Sequence, residues 1–110
     1  MLRSARRYRM GNREDFKDLK KIVVDGLKAI TAQNEGFERE FANELGDDIG
    51  IAYGTAADLK NKTMTLKIEY IIDTWQQMLG TEATIESMID CLKRIKATAV
   101  AQKLRHCFRV

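Results

Sequence analysis

The chain contains no proline, so nothing in it forbids long uninterrupted helices. Histidine is limited to His106, and the two cysteines, Cys91 and Cys107, lack any Cys-x-x-Cys spacing. With no second imidazole and no thiolate pair at ligand spacing, no zinc site is expected. Both cysteines lie on apolar helical stripes and read as buried free thiols, which suits a reducing, cytoplasmic setting. No run approaches the ~18 apolar residues of a membrane span, and the opening MLRSARRYRM lacks an apolar h-region. Neither a membrane helix nor a secretory signal is therefore expected. Strand-like alternation of apolar and polar residues is also missing, which leaves the all-α class.

What is present fits one domain. A length of 110 residues supports one core, and 45% hydrophobic content is too high for a disordered chain. The net charge of +3 conceals an asymmetry, because Arg3, Arg6, Arg7, Arg9 and Arg13 precede the first acid. Removing those five from the 19 basic residues leaves 14 against 16 acids, a formal balance of −2 from residue 14 onward. Residues 1–12 read as a flexible basic arm and residues 13–110 as a helical domain. Such an arm could meet nucleic acid or acidic lipid, although most are solvated linkers.

The apolar positions Phe16, Leu19, Val23, Leu27 and Ile30 recur at three and four, predicting an amphipathic first helix capped by Asn12 or Asp15. Gly26 weakens that helix by roughly 1 kcal/mol relative to alanine, and a close helix crossing would explain it. After a loop at 31–36, a second helix carries Phe37, Phe41, Ala42 and Leu45 and ends at Gly46. The segment 47–59 is ambiguous. Asp47 or Asp48 could cap a helix bearing Ile49, Ala52, Tyr53, Ala56 and Leu59, but Gly50, Gly54 and Ile51 favour one or two short, irregular turns. A loop at 60–65 leads to a fourth helix at 66–79, whose broad stripe of Ile68, Ile71, Ile72, Trp75, Met78 and Leu79 suggests a central element covered on more than one side. Gly80 and Thr81 stop it, Thr84 caps a fifth helix with Ile85, Met88, Ile89, Leu92 and Ile95, and a break at Lys96 and Ala97 precedes a sixth with Val100, Ala101, Leu104 and Phe108. The periodicity thus predicts six helices of an all-α protein, the third short or irregular.

Catalytic chemistry finds no foothold in this pattern. The acids are scattered on outward faces, the histidine has no partner in sequence, and no serine occupies a nucleophile elbow. The run from Gly46 through Asp47 and Asp48 to Gly50 superficially resembles a phosphate loop, but no strand precedes it and no Lys-Ser/Thr follows. A non-enzyme without cofactor, metal or small-molecule substrate is expected. Surface charge remains. Lys17, Lys20 and Lys21 make a basic patch on the first helix, while Asp47, Asp48 and Asp58 make an acidic one around the third. Lys93, Arg94 and Lys96 form a basic group between the fifth and sixth helices, and Glu82 and Glu86 open the fifth with negative charge. These are solvated faces biased by helix dipoles or, because their signs differ between faces, surfaces for head-to-tail association.

Three segments are specific enough to carry a resemblance. Phe37-x3-Phe41-Ala42-x2-Leu45-Gly46 resembles the W-x3-L-A-x2-L-G segment of the death-domain superfamily, with phenylalanine replacing tryptophan and leucine. Trp75-x4-Gly80-x2-Ala83-Thr84, followed by Ile85, Met88, Leu92 and Ile95, is similar to that family's W-x4-G-x2-A-T-x-x-x-L-x3-L segment. Val100-Ala101-x2-Leu104 resembles its closing V-A-x-x-L helix. The resemblance covers residues 14–108 and preserves segment order and spacing. It implies a six-helix antiparallel bundle that acts as a protein-interaction module of apoptotic or innate-immune signalling, recruits other death-domain proteins and assembles homotypic oligomers in the cytoplasm. The alternative is a small helical nucleic-acid-binding domain led by the arginine arm. That alternative lacks helix-turn-helix spacing and must contend with a slightly acidic folded part.

Overall fold

The computed structural model describes residues 13–110, so the arm expected at 1–12 and the capping role expected of Asn12 lie outside the described residues. Six α-helices form: α1 (Arg13–Thr31), α2 (Phe37–Leu45), α3 (Asp47–Thr55), α4 (Met64–Leu79), α5 (Ile85–Arg94) and α6 (Thr98–Phe108). Two 3-10 turns, Ala57–Leu59 and Gly80–Glu82, complete the regular structure, and no β-strand occurs among the described residues. The all-helical class and the bundle thus follow the apolar periodicity. Successive helices pack most closely, α2 on α3 and α5 on α6, while α1 lies against both α4 and α6, α3 against α4 and α2 against α5.

Helix ends are set by identifiable chemistry. Glu14 and Asp15 occupy the first turn of α1, so Asp15 lies inside the helix and complements its dipole instead of capping it. Helix α4 starts two residues earlier than the expected 66, because the Thr63 hydroxyl accepts the Leu66 N–H at 3.3 Å and fixes the first turn there. It stops at Gly80, where φ is 57°. At α5 a reciprocal box forms: Ser87 N–H donates to Thr84 Oγ1 at 3.1 Å, and Thr84 N–H donates to Ser87 Oγ at 3.2 Å. Thr84→Ala is expected to cost about 1 kcal/mol of unfolding free energy, measured by urea titration followed by circular dichroism. An unchanged midpoint would mean that packing, not the cap, holds the start of α5.

The segment 47–59 is more regular than its glycines suggest. Helix α3 is a nine-residue α-helix, and only the following turn at Ala57–Leu59 is irregular. Gly50 is the reason that α3 can form against α2: a β-carbon there would collide with the Asn43 side chain and lie 3.2 Å from the Asn43 α-carbon. Tertiary burial of Ile49 and Tyr53 then supplies what propensity lacks. Neither Asp47 nor Asp48 caps this helix. Gly46 holds the capping position without a side chain, and both aspartates lie in the first turn, favoured there by the dipole. Gly26 plays a similar part at the α1–α6 crossing, where an added β-carbon would collide with the stiff, buried Val100.

The core draws on every helix, with Leu19, Phe41, Ile68, Ile72, Ile85, Leu92 and Leu104 fully buried. Helix α4 touches α1, α2 and α3, as its broad stripe requires, and buries Trp75 to 1% exposure. Met78, expected on that stripe, instead faces solvent with half its surface exposed, because the inward arc of α4 is filled by Ile68, Ile71, Ile72 and Trp75. No helix among the described residues is long and apolar enough to cross a membrane.

Candidate functional site

The charged residues of the first helix separate on folding. Lys17 is exposed, whereas Lys20 is half-buried, with Nζ 2.8 Å from Asp73 Oδ1 on α4 and 5.1 Å from the centroid of the Phe16 ring. Lys21 reaches Asp25 one turn along the same helix at 3.5 Å, an exposed pair of little energetic consequence. Of the basic patch expected from Lys17, Lys20 and Lys21, Lys20 is thus engaged by another helix, while Lys17 and Lys21 stay exposed.

The acidic group fares differently. Asp47, Asp48 and Asp58 are all exposed, and none makes an ion pair among the described residues. Ile51, on the turn of α3 following the two aspartates, is 63% exposed. Helix α3 thus displays an acid-flanked apolar side chain to solvent.

At the other end of the bundle, Lys93 and Lys96 are exposed, and Lys96 sits in the turn between α5 and α6 with φ of 67°. Arg94 is bound to α2 through a 2.6 Å hydrogen bond from Nε to Glu44 Oε2, which raises its pKa further and fastens α5 to α2. Glu82 is exposed in the turn before α5, away from the carboxylates of α3 in sequence and element. Glu86 lines a groove of about 170 Å³ together with Ile89, Asp90, Lys93, Arg105 and Val110. The groove carries charges of both signs and no nucleophile–base pair.

One buried polar pair escapes the sequence reading. Tyr53 on α3 donates its hydroxyl proton to Glu38 Oε2 on α2 at 3.0 Å, and Glu38 is only 6% exposed. The other carboxylate oxygen, Oε1, has no donor among the described residues. Burial pushes the Tyr53 phenol up to about 12, helped by its hydrogen bond to Glu38 and by the nearby carboxylate, with Arg39 opposing. Both residues line an open cleft of about 150 Å³ bordered by Arg39, Leu59, Lys60 and Lys67. Glu38 resembles any acid in a helix first turn, favoured by the dipole. The available signal was its spacing of three and four from Phe41 and Ala42, which puts it on the buried stripe of α2.

The cysteines divide as well. Cys91 is buried and its thiol is pushed up to about 12, chiefly by desolvation, whereas Cys107 is exposed. The expectation that both are buried fails because α6 turns Val100, Ala101, Leu104 and Phe108 inward, and Cys107 falls outside that arc. Native protein treated with a maleimide at neutral pH should label Cys107 rapidly and Cys91 only after unfolding, as read by peptide mass spectrometry. Equal labelling would contradict the packing of α5. No group of three or more His, Cys, Asp or Glu side chains suited to a metal occurs among the described residues. Comparison with family models, curated proteins and solved structures finds no match to the chain.

Proposed function

We propose that the chain is a death-domain-like interaction module, an antiparallel six-helix bundle that recruits proteins of the same fold and builds signalling oligomers in the cytoplasm. It acts by complementary surface charge and shape, without catalysis. The observation that supports this reading is where the resembling residues fall in one six-helix bundle. Phe37, Phe41, Ala42, Trp75, Ala83, Val100, Ala101 and Leu104 are core, Gly80 ends α4 and Thr84 caps α5. Those residues mark a fold, which leaves the exposed charges to choose partners. Asp47 and Asp48 are the leading contact residues because no lysine or arginine among the described residues engages them.

Exposed charge pairs are each worth about 0.2–1 kcal/mol, so association through them needs several pairs and weakens with salt. In light scattering after size-exclusion chromatography, the wild type, alone or with death-domain partners, should associate at low ionic strength. Asp47→Lys with Asp48→Lys should abolish that association and leave the helical spectrum intact. A chain that stays monomeric and binds no such partner at any ionic strength would overturn the reading.

A further inference from the structure

The open cleft of about 150 Å³ is built where α2, α3, the turn Ala57–Leu59 and α4 come together. Of the residues that border it, only Glu38 and Tyr53 are buried, so this pair makes its inner end. Arg39 and Lys60 are exposed and Lys67 is half-buried, which sets three cations toward its mouth. Charges of both signs therefore border one cleft without meeting. Glu38 accepts the Tyr53 hydroxyl on Oε2 at 3.0 Å, while Oε1 has no donor among the described residues. Arg39, Lys60 and Lys67 make no ion pair among the described residues. A buried carboxylate oxygen in that condition is costly until a donor reaches it.

The two ends select a ligand by exclusion. A bare anion gains from the three cations but is repelled by Glu38, and a bare amine gains from Glu38 but is repelled by the cations. A molecule with an ammonium at one end and a phosphate or carboxylate at the other suits both. We propose that the cleft binds such a small zwitterion, its ammonium paired with the Glu38 carboxylate and its anionic group among Arg39, Lys60 and Lys67. The size agrees, since a space of this volume admits a benzene-sized molecule. Tyr53 is the positioning residue: by donating to Oε2 it orients the carboxylate and leaves Oε1 for an N–H of the ligand. Ala56 and Leu59 supply an apolar wall for the methylenes between the charged ends. The site goes beyond the interaction-module reading and shares none of its contact residues, so either can fail alone.

The test is calorimetric titration of the full chain with O-phosphoethanolamine, with γ-aminobutyrate, and with ethanolamine and inorganic phosphate as the separate halves. At least one zwitterion should bind, at about millimolar affinity or better and at least about tenfold more tightly than either half. It should also raise the thermal midpoint as its concentration rises, because binding to the folded chain alone stabilises it. Glu38→Gln keeps an acceptor for Tyr53 but removes the charge, and should weaken the zwitterion by at least about tenfold without weakening phosphate. Lys60→Gln/Lys67→Gln lies outside the buried core and should fold as the wild type does by circular dichroism, yet weaken zwitterion and phosphate together. Vesicles of phosphatidylethanolamine in phosphatidylcholine separate the two sources of this chemistry. Binding to them but to neither free compound, lost in the same variants, would put the ammonium and phosphate on a lipid headgroup and uphold the proposal. A zwitterion that binds no better than phosphate and is indifferent to Glu38→Gln would overturn it, leaving only a basic surface. Absence of binding to the free compounds and the vesicles alike would overturn it as well.

Discussion

Trp75→Ala is expected to remove about 3–5 kcal/mol of unfolding free energy, the range seen when large aromatic side chains are deleted from packed cores. The indole is 1% exposed and shares α4 with the fully buried Ile71 and Ile72, and α4 as a whole packs against α1, α2 and α3. Rigid helices arriving from three directions cannot collapse together to refill the vacated space, so the transfer and cavity terms add. Against a total stability of about 5–15 kcal/mol for an ordinary domain, such a loss shifts the denaturation midpoint sharply and leaves part of the population unfolded at physiological temperature. The measurement is a guanidinium titration followed by far-ultraviolet circular dichroism. Met78→Ala on the same helix, half exposed, should change stability by no more than about 0.5 kcal/mol. Similar effects of the two substitutions would contradict the orientation of α4.

Tyr53→Phe should cost about 2–3 kcal/mol, a large amount for the loss of one oxygen. The deleted hydroxyl is the donor to Glu38 Oε2, and Oε1 has no donor among the described residues, so the variant leaves an almost fully buried side chain without a hydrogen-bond donor among those residues. Replacing both partners with apolar groups, Glu38→Leu with Tyr53→Phe, should recover most of that loss, since an apolar pair has nothing to desolvate. A double variant no more stable than Tyr53→Phe alone would show that the carboxylate is held by something other than the phenol. The pair also gives a pH signature. Tyr53 has its pKa raised in the folded state from 10.0 to about 12, so its contribution is complete below pH 10 and is lost as pH rises through 12. Cys91, raised from 9.0 to about 12, acts in the same direction from a lower pH. Stability should therefore fall on the alkaline side, and Tyr53→Phe should flatten the upper part of that fall.

Neighbouring residues of the same chemistry show how far sequence reasoning reaches. Lys20 and Lys21 are indistinguishable as surface lysines, yet the one facing α4 meets Asp73, 53 residues away, and the other meets only Asp25. Cys107 and Phe108 both suit an apolar helical stripe, and the angle at which α6 lies on α1 and α5 decides that only Phe108 is buried. Helix α3 reads as weak because glycine disfavours isolated helices, whereas Gly50 is what lets α3 come close to α2. In contrast, Thr84 and Gly80 act within a few residues of themselves, so the sequence alone marks the helix ends they set.

The order of residues alone determined the helical class, the number of long amphipathic segments and most of their ends, since periodicity and capping are local and repeat at every turn. Only the tertiary arrangement decided which charges are spent within the molecule and which face outward. It buried Glu38 against Tyr53, bound Lys20 to Asp73 and Arg94 to Glu44, and left Asp47, Asp48, Lys96 and Lys103 without ion pairs among the described residues. The physical reason is that an ion pair between distant residues depends on how two helices cross, and that angle is set by the whole core, which no short stretch of the chain specifies by itself.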